Sequence, residues 1–168
     1  MVVRLMAIII SPQVLFTLIC QAVEPFRQET YGYLIISPKG QNQMVEGAIS
    51  YQTANRKGYY KIEDSMRAER VFGWAGQTRQ VVDGFHSHTY SPRQQLCAKP
   101  TDTDIEDMTK EHFEIICALQ KTKRRYNKDW YEKELGLAGA INGYRFLLRC
   151  WKKIGAREFK ELKLKVRK

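Results

Sequence analysis

Two histidines and a nearby cluster of acidic residues are the side chains most able to support chemistry. His86 and His88 are separated by one residue, and they are two of only three histidines in the chain. Residues i and i+2 of a β-strand point to the same side of a sheet, so both imidazoles can reach one ion. Because a catalytic zinc usually takes three protein ligands and leaves one position to water, the pair predicts a site that needs a third ligand.

Carboxylates follow the two histidines at a distance that a loop can close. The stretch Asp102–Asp107 contains four acidic residues and reads as the start of a helix. Asp104, Asp102 and Asp107 are therefore candidates for the third ligand. Asp102 also has an ordinary explanation, because acidic residues are favoured near the N-terminus of a helix.

Three separated segments resemble the JAMM motif of the MPN-domain metalloproteases. Residues 84–88 (GFHSH) and 100–104 (PTDTD) are similar to its pattern of His-x-His, a spacer and Ser-x-x-Asp. Upstream, Glu29 and the strand at residues 31–35 (YGYLI) resemble the family's glutamate followed by a glycine-containing apolar strand. The opening strand and helix, joined at Ser11-Pro12, are similar to the start of that domain. The resemblance extends from about the N-terminus through Asp107.

The resemblance implies a zinc-dependent peptidase or isopeptidase. Zinc would be bound by His86, His88 and Asp104, because Thr101-x-x-Asp104 keeps the motif spacing. Glu29 would be the general base, and Thr101 would donate a hydrogen bond to the oxyanion. The implied substrate is a protein or peptide tail, such as the C-terminal tail of a ubiquitin-like protein. The implied fold is an MPN-like, cytidine-deaminase-like domain.

The sequence departs from the family pattern at two points. The spacer, residues 89–100, has twelve residues where the family usually has seven, and Thr101 replaces the family's serine. A longer loop can still close over a metal, because the entropy of loop closure grows slowly with length. Glu46, in another apolar strand, is the rival candidate for the general base.

The apolar pattern predicts one domain over residues 1–168, of α/β or α+β class, with a mixed, mostly antiparallel sheet flanked by helices. Ser11 is a good N-cap and Pro12 suits a first helical position, so a helix should follow them. Charged and aromatic residues 121–137 predict another helix. Apolar runs predict strands at residues 5–10, 31–37, 45–52, 80–88, 113–119, 144–151 and 159–166.

The basic charge is concentrated in the last third of the chain. Residues 1–109 carry 11 basic and 11 acidic residues, whereas residues 110–168 carry 17 and 7, which gives the net charge of +10. Such a field attracts nucleic acid or an acidic protein surface. Contacts could come from residues 123–125 (KRR), Lys152 and Lys153. Trp130, Tyr131 and Trp151 could add contacts, although core packing is the ordinary expectation for them.

Three functions from different classes stay open at this point. The leading one is an active metallopeptidase, and the second is a catalytically silent scaffold of the same family. The third, nucleic-acid binding, lacks any recognised motif. Four cysteines without a CxxC pair favour a reducing cytoplasm. No apolar run is long enough to span a bilayer, and the sequence does not determine an oligomeric state.

Overall fold

The computed structural model describes residues 7–50, 65–78, 81–110, 112–123 and 130–167. Within them the chain forms three helices, α1 (Pro12–Val23), α2 (Ser65–Thr78) and α3 (Asp102–Asp107). The strands there are β1 (Ile8–Ile10), β2 (Tyr31–Lys39), β3 (Asn42–Ser50), β4 (Val81–Tyr90), β5 (Phe113–Lys121), β6 (Trp130–Lys133), β7 (Gly136–Ile141), β8 (Tyr144–Lys153), β9 (Phe159–Leu162) and β10 (Leu164–Val166).

These strands form one sheet in the order β10-β1-β3-β2-β4-β5-β8-β7-β6, with β9 paired to the second half of β8. The pairs β1–β10, β1–β3 and β4–β5 are parallel, and the other strand pairs are antiparallel. The two ends of the sheet approach each other where the amide of Leu164 donates to the carbonyl of Leu135 at 2.7 Å. The sheet is therefore nearly closed and barrel-like.

The predicted fold class, a mixed α/β (α+β) sheet flanked by helices as in an MPN-like domain, is wrong. The protein is mostly β, with about half of its described residues in strands. The difference arises in the last third of the chain, which contributes β6 to β10 and no helix among its described residues. Those strands extend the sheet far enough for it to curl back on itself.

Two local predictions in the last third are also wrong. Residues 121–137, predicted as a helix, contain the end of β5, all of β6 and the start of β7, while residues 124–129 lie outside the described part. The predicted strand at residues 159–166 is two strands. Its first half pairs antiparallel with β8 and its second half pairs parallel with β1, with the change at Lys163.

The predicted helix after Ser11 is confirmed. The Ser11 side chain accepts a hydrogen bond from the amide of Val14 at 3.1 Å, and Pro12 lies in the first turn where no amide is needed. The buried face of α1 packs against the inner side of the sheet and consists of Val14, Leu15, Leu18, Ile19 and Ala22. Across the described ranges, no helix has the length and apolar character required to cross a membrane.

Opposite α1, the other face of the sheet carries the candidate site. A second apolar cluster on this face includes Ile116 and Ala118 of β5, Leu147 and Trp151 of β8, and Ala98 of the loop after β4. Strand pairing places His86 beside Ile116 and His88 beside Ala118, so both histidines lie on this face. The central strands therefore form a rigid floor under the site.

Candidate metal centre

The two histidines of β4 lie side by side and are almost completely buried, with exposed fractions of 1% for His86 and 6% for His88. Their Nε2 atoms are 3.0 Å apart. The alternation of a strand brings them to the same face, as the sequence predicts. Neighbouring strands β2 and β5 hold β4 on both sides, so the position of the two imidazoles is set by the sheet.

Asp104 completes a compact group of three donor atoms. Its Oδ2 lies 3.5 Å from Nε2 of His86 and 3.3 Å from Nε2 of His88. Bonds of about 2.0–2.1 Å in a tetrahedron place neighbouring ligand atoms about 3.3 Å apart. The triangle therefore has the size that a metal ion in such a site requires, and these three residues could bind a metal ion.

The other acidic candidates lie away from this group. Asp102 and Asp107 are exposed, and neither contributes to the metal-binding group found among the described residues. Glu46 is also exposed, and its carboxylate accepts a hydrogen bond from the Ser37 hydroxyl at 2.7 Å. Among the alternatives drawn from the sequence, the structure brings only Asp104 to the histidines.

Thr101 holds the Asp104 carboxylate in place. Its amide and its hydroxyl both donate to Oδ2 of Asp104, at 2.6 and 2.7 Å, and its hydroxyl oxygen accepts from the Asp104 amide at 3.3 Å. This reciprocal arrangement is a capping box that starts α3. Thr101, the predicted oxyanion donor, therefore contacts a candidate metal ligand. Its hydroxyl proton is already donated to Asp104.

Glu114 is a part of the site that the sequence reasoning missed. Its Oε1 lies 2.7 Å from Nδ1 of His86, on the side of the ring away from Asp104 and His88. A carboxylate bound to the second nitrogen of a metal-ligating histidine fixes the orientation and tautomer of the ring. Gly84, paired with Glu114 across the strands, leaves room for this contact, because a Cβ there would lie 3.1 Å from Oε1.

The carboxylates control the charge on His86. Burial acts to lower the pKa of His86, but the charge of Glu114 and hydrogen bonds to Asp104 and Glu114 outweigh it and raise this pKa to about 10. Burial likewise acts to raise the pKa of Asp104, yet hydrogen bonds to His86 and His88 hold it well below its usual range. Without a metal, the two carboxylates therefore favour the protonated form of His86.

Glu29, the predicted general base, lies next to this group through Tyr31. The Tyr31 hydroxyl donates to Oε2 of Glu29 at 2.6 Å. The Tyr31 ring stacks on the His86 ring with a centroid separation of 5.6 Å. Burial and the hydrogen bond to Glu29 raise the pKa of Tyr31, and the charges of Asp104 and Glu114 add to this effect. Glu29 as a whole is half-buried.

Ser87 ties the segment that carries Glu29 to the histidine strand. Its hydroxyl oxygen accepts a hydrogen bond from the amide of Thr30 at 2.9 Å, and its own amide donates to the Thr30 carbonyl at 2.9 Å. Both residues are fully buried. The Thr30 hydroxyl donates to the carbonyl of Gln21 in α1 at 2.8 Å. Ser87 thus has a structural role.

The part of the long spacer that follows β4, residues 91–100, is anchored along its length. The Tyr90 hydroxyl donates to the Cys97 carbonyl at 2.7 Å, and Trp151 Nε1 donates to the Ala98 carbonyl at 2.6 Å. Gln120, which is buried, donates from Nε2 to the carbonyls of Gln94 at 2.7 Å and of Ser91. The additional residues therefore fold over β5 and β8 before the chain returns to Asp104.

Some basic and aromatic residues of the last third contact the core or α3, and others lie at the surface. The Lys153 ammonium donates to the carbonyls of Ile105 and Met108, the latter at 3.0 Å, and so holds the end of α3. Trp151 is buried and Trp130 packs against the core, so both have the core position expected of them. Tyr131 is 44% exposed. Lys123 and Lys152 are described, but Arg124 and Arg125 lie outside the described residues.

Comparison with known proteins supports the fold and leaves the function open. No known protein-family profile matches the chain, and no curated protein sequence is significantly similar to it. The structure is similar to the solution structure of a protein from Desulfitobacterium hafniense, with a TM-score of 0.64 and 14% identity over 96% of this chain and 93% of that one. A protein from Salinibacter ruber gives a TM-score of 0.53 and 16% identity over 94% and 90%. The chain shares its fold with these proteins.

Proposed function

We propose that this protein is a zinc-dependent peptidase or isopeptidase of JAMM type. The observation that carries the proposal is the triangle formed by Nε2 of His86, Nε2 of His88 and Oδ2 of Asp104, with sides of 3.0, 3.3 and 3.5 Å. These are the three residues that the JAMM motif designates as metal ligands. The proposal rests on this site and its motif, and not on the class of the fold.

Zinc is the metal that best suits the donor set. Two imidazoles and one carboxylate match the ligands of catalytic zinc sites, which keep the fourth position for water. Calcium and magnesium prefer sites made only of oxygen donors. Glu114 supplies the outer carboxylate that metal-ligating histidines commonly bind. When bound, zinc would polarise the scissile carbonyl and lower the pKa of a water molecule.

Glu29 would carry protons during hydrolysis. The residue is half-buried and its carboxylate lies beside the His86–Tyr31 stack, so it can accept a proton from water and return it to the leaving amine. Tyr31 orients this carboxylate from one side, and the Thr30–Ser87 hydrogen bonds fix the backbone beside it. The position of the base is thereby tied to the strand that carries both histidines.

Thr101 would act first as a positioning residue. Its hydroxyl proton is committed to Oδ2 of Asp104 at 2.7 Å, so donating to an oxyanion requires that this hydrogen bond be given up as substrate binds. An oxyanion-hole donor contributes about 2.7–4 kcal/mol in other hydrolases. We propose that Thr101 alternates between these two acceptors, of which the resemblance to the motif implies only the oxyanion.

The second candidate is a catalytically silent scaffold, and one observation favours it. A protonated His86 offsets part of the negative charge of the site without a metal, because it is hydrogen-bonded to Glu114 and close to Asp104. Such a network would stabilise the sheet by itself. The proposed substrate for the active enzyme, a protein tail such as that of a ubiquitin-like protein, follows only from the resemblance of the motif.

Metal content is the measurement that separates the two candidates. The wild-type protein should contain about one zinc per chain, and both His88→Ala and Asp104→Asn should lose it. Asp102→Asn is the matched control, because it removes an exposed acid from the same helix and should keep the zinc. A wild-type protein without metal after zinc is supplied would establish the silent scaffold.

Catalysis is tested by removing the base while keeping the metal. Glu29→Gln should retain zinc and lose cleavage of a ubiquitin-like protein carrying a C-terminal peptide extension. Glu46→Gln, at an exposed position with its own partner Ser37, should leave cleavage unchanged. Full activity of Glu29→Gln would refute the assignment of the base while leaving the metal site intact.

A further inference from the structure

A groove lies on the same face of the sheet as the metal centre, beyond the anchored loop at residues 91–100. One wall is formed by Leu96 of that loop. The floor includes Ala138 of β7 and Leu147 of β8, both buried, and the groove is bordered by Tyr131, Lys133 and Arg145. The lining thus combines buried apolar side chains with one exposed aromatic and two cationic side chains.

Strand registers connect this groove to the metal centre. His88 is paired with Ala118, Ala118 with Leu147, Leu147 with Ala138, and Ala138 with Tyr131. Residues paired in this way share one face, so the row runs from a candidate metal ligand to the border of the groove. Its four steps between neighbouring strands, of about 4.8 Å each, give a separation of about 19 Å.

The groove carries positive charge that the described residues do not neutralise. Arg145 is half-buried and Lys133 is exposed, and neither makes an ion pair within the described ranges. Arg149, four residues along β8 from Arg145, differs, because its guanidinium binds Glu161 at 2.7 Å and also binds Glu134. Arg149 pairs with these two acids, and the charge of Lys133 also acts on Glu134, whereas Arg145 has no acidic partner among the described residues and is left for a ligand.

We propose that this groove binds an acidic, extended segment of the substrate protein. This inference rests on the proposed function for the cleavage step, whereas the binding itself does not require a metal. An extended chain covers about 3.3 Å per residue, so a separation of about 19 Å corresponds to at least about six residues between the scissile bond and the acidic segment. Glutamate or aspartate side chains would bind Lys133 and Arg145, and Tyr131 would pack against the segment.

The shape of the groove favours a peptide over a nucleic acid. Single-stranded nucleic acid binds to a track of several cations with aromatic side chains on which successive bases stack. Here two cations border an apolar floor, and of the two aromatic lining residues only Tyr131 is exposed, because Phe146 is buried. In addition, β6 pairs only with β7 within the described sheet, and the hydrogen bond that brings the two ends of the sheet together is made at Leu135, beyond β6, so the other edge of β6 can accept an extended peptide.

The test compares two labelled peptides by fluorescence anisotropy at low salt. The first contains four consecutive glutamates within an eight-residue chain, and the second has glutamine at the same positions. The protein variants are Lys133→Ala with Arg145→Ala, and a control that also removes one lysine and one arginine, Lys39→Ala with Arg70→Ala. Both control positions are exposed and lie on β2 and α2, away from the groove. His88→Ala is measured in parallel.

The glutamate peptide should bind more tightly than the glutamine peptide. Loss of Lys133 and Arg145 should weaken its binding about five- to tenfold, the effect of two partly exposed charge pairs. The control should change it less than about twofold, within the range of an exposed charge remote from the ligand. Lys133→Ala alone should give an intermediate loss of glutamate-peptide binding. Because Lys133 is exposed, this variant should fold normally, and it therefore tests the groove even if the double variant misfolds.

Three results would overturn the proposal. These are equal binding of the two peptides, an equal loss in both double variants, or tighter binding of a labelled twelve-nucleotide thymidine strand that the same groove substitutions weaken. The last result would assign the groove to nucleic acid. Retention of glutamate-peptide binding in His88→Ala is expected, so a failure of the zinc site leaves this test unaffected, and the two proposals can fail separately.

Discussion

Glu114 lies 2.7 Å from Nδ1 of His86, while Nε2 of the same ring faces Asp104 and His88. One imidazole is thus held between an outer carboxylate on β5 and the candidate ligand group. In metal sites this arrangement fixes the tautomer that presents Nε2 to the ion and makes the ligand more basic. Glu114 therefore belongs to the site even though it does not contact the candidate metal position.

We expect Glu114→Gln to weaken zinc binding about 10- to 100-fold, because loss of an outer-sphere carboxylate typically has this effect. Glutamine keeps the size of the side chain and an oxygen acceptor but removes the charge. Competition with a chromogenic zinc chelator measures the affinity. Glu106→Gln, on the exposed side of α3, is the control and should bind zinc as the wild type does. Unchanged affinity in Glu114→Gln would show that Glu114 does not support the ligand.

A glycine substitution tests the same contact without changing the carboxylate. A Cβ at Gly84 would lie 3.1 Å from Oε1 of Glu114, closer than ordinary packing allows. We expect Gly84→Ala to shift Glu114 and to weaken zinc binding in the same direction as Glu114→Gln. Gly47→Ala is a matched control in β3, where a Cβ would have no heavy atom within 4 Å. Equal zinc affinity in the two alanine variants would contradict this.

Zinc affinity should rise with pH in the metal-free protein. The pKa of His86 is raised to about 10 by Glu114 and Asp104 against the effect of burial, so at neutral pH the ring carries a proton that zinc must displace. Affinity should therefore increase about tenfold per pH unit between about 7 and 10. Calorimetry in two buffers of different ionisation enthalpy should show about one proton released per zinc at pH 7.5. No proton release would mean that His86 is already neutral.

The folding stability of the metal-free protein should fall as the pH rises, whereas its zinc affinity should rise. A group with a raised pKa in the folded state stabilises that state fully below its ordinary pKa of 6.5. This contribution should disappear as the pH rises through about 10. Urea unfolding of zinc-free protein at several pH values measures it, and His86→Gln should remove most of the dependence. A wild type and His86→Gln with parallel pH profiles would exclude His86 as the source.

The sequence predicts the ligand atoms better than their surroundings. A strand with histidines at i and i+2, and a carboxylate three residues after a capping threonine, are local patterns, and the structure places His86, His88 and Asp104 together. Glu114 could not be found in this way. Its contact with His86 depends on the register of the β4–β5 pair, which no local pattern specifies. The one signal was an acid inside the apolar run at residues 113–119.

The fold of the last third was mispredicted for a related reason. Strands β6 and β9 are short and carry charged residues, so their composition is similar to that of an exposed helix or a strand end. Residues 159–166 follow alternation closely enough to predict one strand, yet their two halves pair with different neighbours. The change of partner falls at Lys163, where no residue type marks the end of a strand. Long-range pairing, and not local preference, decides the structure of this region.

Thr101 gives a prediction that separates positioning from catalysis. Thr101→Val removes the hydroxyl from Oδ2 of Asp104 and should weaken zinc binding about tenfold, as expected for loss of an outer-sphere hydrogen bond. Thr101→Ser keeps the hydroxyl and should bind zinc as the wild type does. Both variants are compared by chelator competition and by turnover at saturating zinc. Wild-type affinity in Thr101→Val, together with lost turnover, would assign Thr101 to the oxyanion alone.

Ser87 should contribute to stability and to the position of the base, but not to metal binding. Ser87→Ala leaves the buried amide of Thr30 without its partner, which should cost about 1–3 kcal/mol in the free energy of unfolding. Because Glu29 precedes Thr30, turnover should fall while zinc affinity stays the same. Urea unfolding and zinc titration are the measurements, with exposed Ser91→Ala as the control. Unchanged stability in Ser87→Ala would indicate that water replaces the hydroxyl, and lost zinc would indicate that β4 itself has moved.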